Sequence, residues 1–112
     1  MPSDNFKLLA QVQPGTGNTT IYGAVPASHE TIIKAIHMVN NSGSAVTIAL
    51  YLATSDAVAE ANIILPTVSM AAGSFATYEG TITMDAGDYL NGIAGDATEI
   101  TVTVYGDEID VS

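Results

Sequence analysis

The sequence predicts an all-β fold of sandwich or jelly-roll type, and three observations predict it. Turn chemistry recurs at intervals of roughly 10 to 15 residues, which is the spacing of short antiparallel strands. It falls at Pro14-Gly15-Thr16-Gly17-Asn18, Pro26-Ala27-Ser28, Asn40-Asn41-Ser42-Gly43-Ser44, Ala71-Ala72-Gly73-Ser74, Asp85-Ala86-Gly87-Asp88 and Gly95-Asp96. The runs between these turns are rich in Val, Ile, Thr and Tyr, and several alternate with period two. Finally, 112 residues without a cysteine form a chain of single-domain size that must hold together through its core.

About eight strands are expected, spanning 6–12, 19–25, 31–40, 45–54, 62–70, 74–84, 89–94 and 99–109. The fourth is "VTIALYLAT", in which Val46, Ile48, Leu50 and Leu52 form a core stripe while Thr47, Ala49, Tyr51 and Ala53 face the other way. That second face is too mild for a charged solvent surface and too polar for a core, so it reads as a surface to be touched. The last strand repeats the pattern in "EITVTVYG", with Ile100, Val102 and Val104 opposed to Thr101, Thr103 and Tyr105. In "TYEGTITM", Tyr78, Ile82 and Met84 oppose Thr77, Glu79, Thr81 and Thr83.

One segment fits two periods. "HETIIKAIHMVNN" is β-branched like a strand, yet Ile32, Ile33, Ile36 and Val39 also share a helical face and Glu30 precedes Lys34 by four residues. The strand is the reading adopted. "SDAVAEAN" holds either a helical turn capped by Ser55 or a wide loop. The whole of 1–112 reads as one domain, with loose or arm-like ends expected at 1–5 and 110–112.

Charge narrows the partners. Two basic residues, Lys7 and Lys34, stand against twelve acids, for a net charge of −10. Phosphate neutralisation needs Lys and Arg, so no nucleic-acid partner is expected, and an anionic membrane surface is disfavoured for the same reason. No apolar run approaches the roughly 20 residues of a spanning helix, and Met1-Pro2-Ser3-Asp4 lacks the basic and apolar regions of a signal peptide. Eight acids lie between Glu79 and Asp110 with no base among them. A solvated acidic surface is the plainer reading and a docking face for a basic partner the other.

The residues that carry chemistry are not arranged to perform it. His29 and His37 would sit about 27 Å apart on one face of a continuous strand, too far to share a metal. Ser28 and His29 are adjacent, so on an extended chain they point apart, whereas a nucleophile and its base must converge. "DAGD" offers Asp85, Asp88 and a glycine bend without the spacing of a calcium loop. With no Trp and five Tyr, an aromatic-lined sugar cleft is poorly supplied. "PGTGN" lacks the Lys and following helix of a phosphate loop. No catalytic, cofactor-binding or metal-ligating residue is assigned, and the chain is not expected to be an enzyme.

From Phe6 to the end, the succession "TTIYGAVPAS", "IIKAIHMVNNSGSAVTIALYL", "NIILPTVSM", "AAGSFATYEGTITMDAGDYL" and "ITVTVYGDEI" resembles a group of small bacteriophage virion proteins. The most specific pieces are the Val25-Pro26-Ala27-Ser28 segment, Asn40 before its Ser-Gly-Ser turn, and "MDAGDYL", where Met84 stands for the usual aliphatic and Gly87-Asp88 is kept. The resemblance spans nearly all of the chain, which is more acidic than such relatives.

The resemblance implies a jelly-roll β-sandwich that assembles on a phage particle, made in the host bacterial cytoplasm and resident on the virion. A capsid decoration protein that binds and reinforces the outer surface of the shell is the function expected, with the major capsid protein as partner. The alternative is a tail or head–tail component, acting as an adaptor or as a receptor- or carbohydrate-binding module beside a neighbouring tail protein. Under either reading Thr47, Ala49, Tyr51, Thr101, Thr103 and Tyr105 are the candidate subunit-contact residues. A homo-oligomer, preferably a trimer, is the expected state, because closed symmetry satisfies such faces.

Overall fold

Eight strands form, in the order the turn spacing predicts. The computed structural model of the chain describes residues 7–56 and 59–111. The strands are β1 (Lys7–Val12), β2 (Thr19–Tyr22), β3 (His29–Asn40), β4 (Val46–Ala53), β5 (Ile63–Met70), β6 (Phe75–Met84), β7 (Tyr89–Ala94) and β8 (Ile100–Asp110). They build two four-stranded antiparallel sheets, ordered β1-β8-β3-β6 and β2-β7-β4-β5. Every connection between successive strands crosses from one sheet to the other except β4–β5, whose two strands are antiparallel neighbours in the same sheet. This is the double Greek-key winding of a jelly roll.

The inner faces interdigitate as period-two patterning requires. Ile36, Met38, Val102, Val104 and Ile100 come from one sheet, and Ile48, Leu50, Leu90, Ala94 and Val46 from the other, all buried in one core. Each of these side chains larger than alanine contributes about 1.5–3 kcal/mol of transfer free energy, which places most of the stability in this layer.

The segment that fitted two periods is a strand throughout, pinned on both sides by β6 and β8. A twelve-residue helix there would have left β6 without a ladder partner and β8 paired on one side only. The register of β3 nevertheless shifts between Ile33 and Ala35. Thr31 and Ile33 point inward on one side of the irregularity, and Ile36 and Met38 on the other. That change of parity moves His29 and His37 to opposite faces, where an unbroken strand would have given them the same one.

Before β5 the chain makes a short 3-10 turn at Glu60–Asn62, closed by the Asn62 N–H on the Ala59 carbonyl at 2.9 Å, while the turn expected to be capped by Ser55 runs into residues 57 and 58, outside the described residues. Leu52, expected in the core stripe, is half-buried at its margin, while Ala53 on the opposite parity is buried. At the C-terminus β8 runs through Asp110, and the Val111 N–H donates to the Ser28 carbonyl at 2.8 Å. The chain is therefore tied down as far as 111. The expected loose residues 1–5 and 112 lie outside the described residues.

Two polar devices close the ends of the sandwich. At one end Asn40, fully buried, donates through Nδ2 to the carbonyls of Ser44 at 3.0 Å, Met70 at 2.9 Å and Ala71 at 3.3 Å. Its Oδ1 accepts from the Ser42 N–H at 3.0 Å and the Ser42 hydroxyl at 2.7 Å. One amide thus holds the β3–β4 and β5–β6 turns together. Toward the other end the Tyr22 hydroxyl crosses between sheets to Thr31 and Glu108.

Candidate functional site

The expected contact residues lie on the outer faces of the two sheets, and those faces differ. On the β1-β8-β3-β6 sheet the rows across the strands run Thr101, Val39, Phe75; Gln11, Thr103, His37, Thr77; and Leu8, Tyr105, Ala35, Glu79. The threonine hydroxyls are not idle. Thr103 accepts from the Gln11 amide at 3.1 Å and Thr101 from the Gln13 amide at 3.3 Å. His37 Nδ1 bonds the Thr77 hydroxyl at 2.8 Å, and its ring lies 5.6 Å from that of Phe75.

What stands out from this polar lattice is apolar. Phe75 is 71 % exposed, Leu8 52 % and Tyr105 44 %. Thr103, by contrast, is 6 % exposed, because its neighbours close over a short side chain. It belongs to the floor of the surface and not to its contact layer, which corrects its place among the candidate residues. Phe75 and Leu8 were missed in the sequence, because neither stands in an alternating Thr/Tyr run. The signal was available only as an aromatic immediately after the Gly73-Ser74 turn and a leucine pair at Leu8-Leu9.

The outer face of the second sheet is covered in part, while Pro66 to Ser69 at its β5 edge stay exposed. Asp56 Oδ1 accepts from Thr20 Oγ1 at 3.0 Å and Asn18 Nδ2 at 3.3 Å, and Asn18 Nδ2 also reaches the Asp56 carbonyl at 3.3 Å. Thr20 pairs with Asn91, which on its other side pairs with Tyr51. To reach Thr20, the chain leaving β4 must therefore fold back across this row. Asn91 has outward parity and yet no exposure, and Ala49 is 3 % exposed. Thr47 and Tyr51 are half-buried. Ala49 is thus a covered residue, contrary to its expected place in a contact face. The alternation in "VTIALYLAT" is real, but part of the face it creates, at Ala49 and the neighbouring Asn91, is already buried within the chain.

The other sequence candidates resolve into turns. Ser28 takes φ +64° in the bend closed by the His29 N–H on the Pro26 carbonyl, and His29 Nδ1 bonds the Ala27 carbonyl at 2.9 Å. In Asp85-Ala86-Gly87-Asp88 the Asp88 carboxylate accepts the Asp85 N–H at 2.9 Å, and Gly87 takes φ +90°. No group of three or more His, Asp or Glu residues is placed to hold a metal ion among the described residues. No helix among them is long and apolar enough to cross a membrane.

Polar perturbation is concentrated at the cross-sheet cluster. Burial, reinforced by the hydrogen bond to Glu108, pushes the Tyr22 phenol up from 10.0 to about 12. Its partner Thr31 is fully buried. The cluster faces the sandwich interior, so its chemistry is that of a structural clasp.

No protein-family model and no curated protein sequence matches the chain. Among solved structures, the coat protein of Tobacco streak virus aligns with 98 % of this chain and 88 % of its own, at 9 % identity and a TM-score of 0.48. The jelly-roll assignment rests on the strand order itself.

Proposed function

We propose that the chain is a structural protein of a bacteriophage particle that decorates the outer surface of the capsid shell. It reinforces the shell by bridging neighbouring copies of the major capsid protein. The observation that carries this reading is the open outer face of the β1-β8-β3-β6 sheet, where Leu8 and Tyr105 form an exposed apolar pair on a hydrogen-bonded polar lattice. A rigid sheet face with apolar knobs suits adhesion to another protein surface. Jelly rolls serve capsids, lectins and cupins alike, so the fold supports this reading without deciding it. The likeness of the sequence to small phage virion proteins supplies the rest. Several weak contacts per closed homo-oligomer would add through avidity, which lets a small protein hold a shell firmly.

The test is co-sedimentation with shells of the parent phage prepared without this protein, together with immunogold labelling of intact virions. Wild-type protein is expected to pellet with the shells to saturation and to raise their resistance to heat. Tyr105→Glu is expected to lose at least tenfold in apparent affinity while keeping its fold. Failure to bind shells, with gold on the tail, would replace this reading with the tail or head–tail one, and a glycan array would then test for carbohydrate binding.

A further inference from the structure

We infer that β6 is a self-association edge, along which two copies of this chain pair antiparallel about a twofold axis centred on Thr77. Two four-stranded sheets end in four edge strands, β1, β6, β2 and β5. An edge presents unpaired N–H and C=O groups, and stable proteins blunt it with prolines, lysines, irregular register or brevity. Three of these edges are blunted. β1 carries Lys7 and a register shift between Leu8 and Ala10, β2 has four residues and a shift between Thr20 and Tyr22, and β5 contains Pro66 with two shifts against β4. β6 carries no proline and no lysine, and from Phe75 to Glu79 its pairing with β3 is regular.

The direction of its free groups follows from the ladder. The Asn40 N–H donates to the Ser74 carbonyl at 2.9 Å. In an antiparallel pair alternate residues exchange hydrogen bonds, so Ala76 and Tyr78 turn their peptide groups toward β3, while Phe75, Thr77 and Glu79 turn theirs outward. A second copy of the same strand is self-complementary to this row. With Thr77 opposite Thr77 of the second copy, Phe75 falls opposite Glu79, and every outward group from Phe75 to Glu79 on both strands finds a partner. Glu79 is the one charge in the strand. Centring the axis on Glu79 would set like charges face to face, which is disfavoured. The Thr77 register keeps them apart and covers Phe75, which is 71 % exposed, with the aliphatic stem of Glu79.

Such a contact makes a dimer, or dimers within a larger closed assembly, where the sequence alone favoured a homo-oligomer, preferably a trimer. It does not depend on the capsid reading and leaves Tyr105, two strands away, free for a shell.

The experiment combines solution mass with site-specific cross-linking of the full chain. Light scattering at high micromolar concentration is expected to give an even-numbered assembly. Thr77→Pro removes an outward N–H, which an edge strand tolerates, and is expected to halve that mass with the far-UV spectrum unchanged. The chain has no cysteine, so Thr77→Cys supplies one thiol. Across the proposed axis the Cα separation is about 5.5 Å, within disulfide reach. Under mild oxidation it is expected to cross-link at least tenfold faster than Glu79→Cys, whose thiols would lie about 14 Å apart along the strands. A wild-type monomer at all concentrations, an assembly unchanged by Thr77→Pro, or equal cross-linking of the two cysteine variants would each overturn the inference. Should Thr77→Pro fail to fold, the cysteine pair alone decides.

Discussion

The Tyr22 hydroxyl on one sheet donates to the Glu108 carboxylate on the other, and the buried Thr31 hydroxyl completes the link at 2.8 Å. This joins the two sheets by direct side-chain bonding, away from the apolar layer that otherwise holds them. Tyr22→Phe keeps the ring and removes the bond, leaving a carboxylate and a buried hydroxyl without their shared partner. The expected cost is about 1.5–3 kcal/mol, the range for a hydrogen bond to a charged group, read from the urea midpoint at neutral pH.

The same phenol sets an alkaline limit. Its folded pKa of about 12 lies above the ordinary 10.0, so the folded chain holds this proton more tightly than the unfolded one. Its contribution is complete below pH 10 and is lost as pH rises toward 12. The melting temperature of the wild-type protein is expected to fall across that window, and Tyr22→Phe to fall less steeply. Equal slopes would remove Tyr22 from the alkaline transition.

Asn40 gives the sharpest polar test, because its amide nitrogen faces three carbonyl oxygens and its oxygen faces two donors. Asn40→Ala leaves these buried groups without partners and is expected to cost about 3 kcal/mol. Asn40→Asp puts a carboxylate against carbonyls and is expected to cost more at pH 7. Near pH 4 that carboxyl gains a proton to donate, so the two variants should converge there. Thermal melts at both pH values distinguish this account from simple loss of packing, which would show no such dependence.

Much of this fold was legible because jelly-roll strands are short, alternating and punctuated. The turn clusters marked all eight strands, and parity named most of the core. The elements that escaped depend on residues far apart in sequence. The register shift at Ile33/Ala35 needs both β6 and β8 to become visible, so His29 and His37 were placed on one face. Likewise, nothing local in "VTIALYLAT" shows that Ala49, although on outward parity, is only 3 % exposed. Short side chains misled similarly at Thr103, where parity was right and exposure was not.

The same register shift predicts a backbone-sensitive site. Gly106 pairs with Ile33 beside it, and a Cβ there would fall on the Ile32 carbonyl oxygen and within 2.9 Å of the Ile33 Cα. These are backbone atoms held between two strands, so neither yields cheaply. Gly106→Ala is expected to destabilise by about 1–3 kcal/mol, as overpacking does. Gly43→Ala, in a turn with nothing within 4 Å of its added Cβ, is the matched control and should stay within about 0.5 kcal/mol of wild type. Urea unfolding of the pair measures the contrast, and equal losses would mean that β3 relaxes around the added methyl.

The unequal outer faces yield a final contrast between residues that the sequence alone made equivalent. Tyr105 and Ala49 both stand on outward parity, but Tyr105 is 44 % exposed and Ala49 3 %. A long charged side chain at 105 can extend into water, so Tyr105→Lys should shift stability by no more than about 0.5 kcal/mol. At 49 the same side chain must displace neighbouring strands or leave its ammonium buried, so Ala49→Lys should cost about 2 kcal/mol or more. Chemical denaturation of both variants, with far-UV spectra to confirm the fold, separates the faces. If Ala49→Lys proved neutral, the second sheet would yield readily around position 49, and that face would again be open to a partner.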